Sequence, residues 1–236
     1  MHSINRNLLL IFAKFPQAGW VKTRLGRKIG YERAAQLYRA FLTDLAPRFV
    51  EQDGDLAYDI RWVYVPAESR FPELISSIQG DNMALERTSF AAYEATGLLQ
   101  QQIDQFSWAH QHGYHNVVGV STDTPHLPRA YIIDAFDKLG EYDVVIGPTC
   151  DGGYYLLGTH PYHVIQRNIE MSTDHVTRDI MAVAGDLKLR TYLLPSMLDI
   201  DEEQDVTALA QIIDQAGCNP CPATWKVLQE IWGSSR

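Results

Sequence analysis

This chain of 236 residues lacks several features that would each have announced a function. No apolar run approaches the roughly 18 residues that a membrane span needs. The one apolar stretch near the N-terminus, Leu8–Ala13, leads into a loop and not into a small-residue cleavage site. Neither a signal peptide nor a membrane partner is expected, and the reading places the protein in the cytoplasm. Cysteine is scarce: Cys150, Cys218 and Cys221 make no disulfide framework and suit a reducing compartment. Cys218-Asn219-Pro220-Cys221 has C-x-x-C spacing, but with no second pair it reads as a surface turn ahead of a redox or zinc site.

Basic residues are also in deficit. Twenty Lys and Arg face 29 Asp and Glu, a net charge of −9, which argues against a nucleic-acid partner. There is no phosphate-binding G-x-x-x-x-G-K-[ST] loop and no G-x-G-x-x-G. His115, His126, His160, His163 and His175 show no metal-ligand spacing, although His126 lies beside a motif described below. Ser121 has no visible base and there is no nucleophile elbow, so a covalent hydrolase is not expected.

What is present is an alternation of strand-like and helix-like blocks without repeats or low-complexity linkers. Leu8–Ala13, Tyr58–Val65, Asn116–Val120, Asp143–Gly147, Tyr154–Leu157 and Leu189–Leu194 read as strands. Tyr31–Val50, Leu85–His112 (with a break near Gly97), Arg129–Leu139, His175–Ala184, Asp205–Gln215 and Ala223–Trp232 read as helices. This order predicts an α/β protein, with a mostly parallel central sheet covered by helices on both faces. We expect one domain over residues 1–236, with a core from about 8 to 216 and an extra C-terminal helix from about 222 to 233.

In such sheets ligands lie beyond the carboxyl ends of the strands, and four polar motifs follow strands here. After the first strand, Pro16 and Gly19 break the chain and Lys22-Thr23-Arg24 packs two cations into three positions. Arg can grip phosphate oxygens with a planar fork, Lys acts as a point charge, and Gly19 would let the backbone come close. The alternative is a solvated basic loop. Asp123, in Thr122-Asp123-Thr124-Pro125, suits a Mg2+ or Mn2+ ligand at a strand end, or else an Asx turn capping the next helix.

Asp151-Gly152-Gly153-Tyr154 suits an acceptor side. Asp151 binds an acceptor hydroxyl or shapes its own loop, and either Tyr154 or Tyr155 faces the cleft. In Asp199-Ile200-Asp201 the two acids alternate around one apolar residue and point the same way. Either could complete a metal site with Asp123, and Asp201 could also be the N-cap of the following helix.

Phe12-Ala13-Lys14-Phe15-Pro16, Gly19 through Leu25, Thr122–Pro125, Gly147–Leu156 and Asp199–Asp205 occur in an order that resembles one bacterial family, from about residue 8 to about 210. It is the glycosyltransferase-like family of nucleotide-diphospho-sugar transferases, some of whose members are called radical-SAM/selenodomain-associated or arsenosugar-biosynthesis transferases. The family is related to 2-phospho-L-lactate guanylyltransferase and to the enzymes that build molybdopterin guanine dinucleotide.

The resemblance implies a glycosyltransferase-A fold, a divalent metal, a nucleotide-activated donor and a small-molecule acceptor; a homodimer is compatible with it. It matches Lys14, Lys22 and Arg24 to the loop that wraps the nucleotide phosphates, and Ala13, Gly19, Thr23, Glu86, Arg87 and Thr122 are the further nucleotide-binding candidates. It also matches Asp123 to the metal ligand and Asp201 to the acidic or amide residue of the late motif. Our own reading takes Asp123 and Asp201 as the metal candidates, Lys22, Arg24 and Asp151 as the catalytic ones, and Asp151, Gly152, Gly153 and Tyr154 as the acceptor side. Where the family has Leu-Gly-Glu-Arg near the nucleotide, this chain has Ala84-Leu85-Glu86-Arg87. Glu86 and Arg87 are retained, but the glycine is lost. Three functions fit: glycosyl transfer from an NDP-sugar, nucleotidyl transfer with release of pyrophosphate, and non-catalytic nucleotide binding.

Overall fold

The computed structural model describes residues 6–50, 57–80, 85–94 and 97–233. Seven strands form one sheet: β1 (Arg6–Lys14), β2 (Asp59–Val65), β3 (Thr88–Ala92), β4 (Tyr114–Ser121), β5 (Val144–Pro148), β6 (Tyr154–Thr159) and β7 (Thr191–Leu193). Their order is β3-β2-β1-β4-β6-β5-β7. All neighbours are parallel except β6, which runs antiparallel to both β4 and β5.

The helices are α1 (Thr23–Ile29), α2 (Tyr31–Phe49), α3 (Phe71–Gln79), α4 (Leu98–Gln111), α5 (Arg129–Lys138), α6 (Val176–Asp186), α7 (Glu203–Gln215) and α8 (Pro222–Trp232). Alternation along β1 divides the core into two layers. Leu9, Ile11 and Ala13 face a cluster that includes Phe41 of α2, Phe136 of α5 and Leu209 of α7. Leu8, Leu10 and Phe12 face Phe106 of α4 and Ile180 of α6. The central strand is apolar on both sides because both of its faces are covered.

Two helices that periodicity did not reveal, α1 and α3, are present. The helix expected over Leu85–His112 is three elements: a single 3-10 turn at Leu85–Arg87, then β3, then α4. Thr88–Ala92 is extended because it pairs residue by residue with Ile60–Tyr64 of β2. That edge pairing is not visible in a run of mixed composition. Ala84 lies outside the described residues. The last helix is anchored from a distance: buried Asp44 of α2 accepts the backbone N–H groups of Ala223 and Thr224 at 2.9 and 2.8 Å.

Candidate functional site

β1 and β4 are adjacent and parallel, so Lys14 and Ser121 end at the same edge of the sheet. Tyr38 of α2 ties the two ends together. Its hydroxyl lies 2.6 Å from Thr122 Oγ1 and accepts the Lys14 backbone N–H at 3.0 Å. Thr122 is buried and also lies 3.2 Å from the Phe12 carbonyl, so its side chain holds the strand ends in place. By its spacing Tyr38 falls on the apolar face of the helix read over Tyr31–Val50. Its hydroxyl, which must find a partner once buried, was the available signal.

Beyond β1 the chain turns through Gly19, at φ 80°, with open space where a Cβ would stand. Glycine serves the backbone conformation there, which a residue with a Cβ adopts only at a cost. Lys22, Thr23 and Arg24 are not a loop: Lys22 is the N-cap of α1, and Thr23 and Arg24 form its first turn. Lys22 adopts φ 44° and ψ 47°, the left-handed region that residues with a Cβ enter only at a cost.

The Lys22 side chain is 3% exposed, and its Nζ lies 2.5 Å from Asp123 Oδ1 and 2.8 Å from Asp201 Oδ1. Burial works against its charge, but Asp123 and Asp201 outweigh it and hold the pKa above the usual lysine value. The Lys22 charge in turn depresses the Asp201 pKa despite partial burial, with Arg24 and Lys14 adding to the effect. Arg24 reaches Asp201 Oδ2 at 3.8 Å with its tip in solvent.

Asp123 caps no helix, because α5 starts six residues later behind Pro128 and has no side-chain cap. Its carbonyl accepts the Ile200 N–H at 3.0 Å, which docks the Asp199–Asp201 segment beside it. Ile200 is fully buried. Of its flanking acids, Asp199 accepts the Thr124 hydroxyl and lies deep; burial and the Asp123 charge push its pKa up to about 7. Asp201 is the open one. The N-cap of α7 is Glu202, not Asp201, in a capping box with Asp205.

Asp151 Oδ1 accepts the Thr149 hydroxyl at 2.5 Å and the Gly153 N–H at 3.1 Å, so Asp151 shapes its own loop. It also lines a cleft of about 330 Å3 with Arg24, Asp199 and Asp201, and with Cys150, which sequence reasoning did not single out. Gly152 is at φ 92°, where a Cβ would overlap the Asp174 carbonyl. The Gly152 and Gly153 carbonyls accept from Thr177 of α6. Tyr154 and Tyr155 both turn inward, on opposite faces. The Tyr154 hydroxyl donates to Gln102 of α4 at 2.5 Å and that of Tyr155 to the Pro195 carbonyl at 3.1 Å.

Glu86 and Arg87 are not brought to this edge. They precede β3, and Arg87 Nε bonds Asp59 Oδ1 at 3.0 Å, at the start of β2. That is the amino edge of the parallel strands, on the order of 20 Å of strand length from the Lys14 end. His126 is buried against α2; burial, then the Arg48 charge, lower its pKa to about 4 and keep it neutral. Among the described residues no group of three or more His, Cys, Asp or Glu side chains is arranged to hold a metal ion. No helix among them is long and apolar enough to cross a membrane.

Residues 79–173 match the family described as "Uncharacterized protein conserved in bacteria (DUF2064)". No curated protein sequence matches the chain. Among solved structures, one from Desulfovibrio desulfuricans G20, described as a "putative nucleotide-diphospho-sugar transferase", is 28% identical, with a TM-score of 0.82. The match covers 95% of this chain and 94% of that one. A cytidylyltransferase from Leptospira borgpetersenii serovar Hardjo-bovis (strain JB197) is 11% identical over 98% of this chain and 95% of that one, at a TM-score of 0.53. The 4-diphosphocytidyl-2C-methyl-D-erythritolsynthase from Anaerococcus prevotii DSM 20548 is also 11% identical, over 89% and 99%, at 0.52. At that identity these two share the fold alone. Residues 79–173 are thus similar to the DUF2064 bacterial family, and the whole fold is similar to that of the Desulfovibrio protein described as a nucleotide-diphospho-sugar transferase.

Proposed function

We propose that this protein is a metal-dependent transferase that uses a nucleotide-activated donor, passing a glycosyl group from an NDP-sugar to a small-molecule acceptor. The observation that carries this reading is the convergence of Lys22, Arg24, Asp123 and Asp201, from three separate segments, at the carboxyl edge of β1 and β4.

The donor atoms suit Mg2+ or Mn2+. Two carboxylates already face one cationic centre, and such hard ions are held by one or two carboxylates, with substrate phosphates and water completing the shell. Asp123 and Asp201 would hold the ion. Bound there, it supplies charge neutralisation at the diphosphate. Arg24 grips the phosphate oxygens with its planar fork, and Lys14 and Lys22 add point charges.

Asp151 positions the acceptor hydroxyl and takes its proton. The acceptor oxygen bonds to the anomeric carbon as the bond from that carbon to the diphosphate breaks, and the nucleoside diphosphate leaves over Lys22 and Arg24.

Nucleotidyl transfer is favoured by a different observation. A second cavity of about 700 Å3 is lined by Arg24, Arg27 and Lys28 on one side and by Glu202 and Glu203 on the other. Arg27 and Lys28 add two cations beyond Arg24, which suits a pyrophosphate leaving group. The two readings separate on incubating the protein with Mn2+, an acceptor panel, NDP-sugars and NTPs. Acceptor-dependent release of nucleoside diphosphate supports glycosyl transfer, and release of pyrophosphate supports nucleotidyl transfer. Nucleotide binding without either product rejects both and leaves a binding protein.

A further inference from the structure

The space between Asp123 and Asp201 is filled by a cation that belongs to the protein. Lys22 Nζ is within 2.8 Å of an oxygen of each carboxylate, and its side chain is 3% exposed. The Phe41 ring lies 5.5 Å from the ammonium. A divalent ion bound to the same two oxygens would stand about 2.1 Å from each. An ammonium and a metal ion cannot share that gap, both for lack of room and because like charges repel.

We propose that Lys22 and the divalent cation are alternative occupants of the Asp123–Asp201 carboxylate pair, so that the free protein is closed to metal by its own lysine. This inference rests on the reading of the site as one for a metal and a nucleotide-activated donor. Metal entry by itself strands the Lys22 ammonium, buried and without its anions, which is strongly unfavourable. Phosphates of the donor give the ammonium new anions at the same moment. Metal alone therefore binds weakly, and metal with donor binds well, because Lys22 passes from carboxylate to phosphate. The left-handed backbone at Lys22 belongs to the metal-free arrangement, in which two ion pairs hold it.

Two measurements test the exchange. In Mn2+ titrations followed by electron paramagnetic resonance, without nucleotide, Lys22→Met is expected to bind Mn2+ at least about tenfold more tightly than the wild type. Equal or weaker binding by a folded Lys22→Met protein overturns the inference, as does Mn2+ that binds neither protein. The second measurement uses the wild type and stands even where the variant fails to fold. Acetylation of Lys22 by acetic anhydride, mapped by mass spectrometry, is expected to be slow in the free protein and to rise several-fold in excess Mn2+. A Lys22 signal that stays unchanged at Mn2+ concentrations the resonance titration shows to be saturating overturns the inference. Both readouts follow metal binding and not product, so a protein that shows the exchange but turns over no donor keeps this inference and loses the proposed reaction.

Discussion

The ammonium of Lys22 lies 2.5 Å from Oδ1 of Asp123, which joins the start of α1 to the segment that follows β4. Lys22 bonds Asp201 as well, so it holds three segments of the chain at one point. A non-glycine residue in the left-handed region costs about 1–3 kcal/mol and persists only where its surroundings over-determine it. Here the two carboxylates do so.

Asp123→Ala is expected to abolish Mn2+-dependent nucleotide binding while the far-UV circular dichroism spectrum is retained. Lys22 keeps Asp201, and the Asp123 side chain is 41% exposed, so solvent screening limits the loss of stability to about 1 kcal/mol. Calorimetric titration with nucleotide and Mn2+ measures the first effect, and thermal denaturation the second. Wild-type affinity in this variant would remove Asp123 from the site.

Stability is expected to decline from about pH 6.5 to about pH 4 through His126. Its folded pKa is depressed to about 4, by burial first and Arg48 second. A depressed pKa stabilises the folded state above the unfolded value, near 6.5, and that contribution is lost as pH falls through the folded value. The size is roughly 3 kcal/mol. Urea denaturation of the wild type and His126→Gln across this range checks it: the variant's stability should fall less steeply.

Gly152→Ala is expected to cost about 1–3 kcal/mol, because its Cβ would overlap the Asp174 carbonyl at a φ of 92°. The damage lies in the Asp151–Gly153 loop that α6 supports, so turnover should fall more than nucleotide affinity. A parallel drop in nucleotide affinity would mean that this loop also belongs to the donor side.

Arg87→Ala is expected to leave nucleotide affinity within about twofold of wild type and to cost at most about 1 kcal/mol, the range of a partly exposed ion pair. Fluorescence or calorimetric titration decides it. A large loss of affinity would bring Glu86 and Arg87 back to the donor after all.

The gathering of the candidate site residues was legible in the sequence because strand ends in a parallel sheet bring polar motifs to one edge. Lys22, Asp123, Asp151 and Asp201 could be singled out because each lies in a segment that follows a strand. Glu86 and Arg87 could not be placed, because their side of the sheet depends on where β3 begins. That start is set by pairing with Ile60–Tyr64 and not by the local composition. Tyr38 and Asp44 were hidden for a similar reason: each sits on a helix face, and its partners lie far away in sequence.

Local sequence determined which segments are strands and helices in most of the chain, that β1 is buried on both faces, and where the charged groups interrupt the apolar runs. Periodicity and turn residues act over a few positions, so those features needed no tertiary context. Tertiary structure alone decided that Lys22 is buried and bridges Asp123 and Asp201, and that Asp199 turns inward to Thr124 while Asp201 stays open. It also decided that Arg87 belongs to the opposite edge. The physical reason is range: a charge takes its partner, its burial and its pKa from whatever the fold carries to within a few ångströms, and sequence spacing holds no record of that distance.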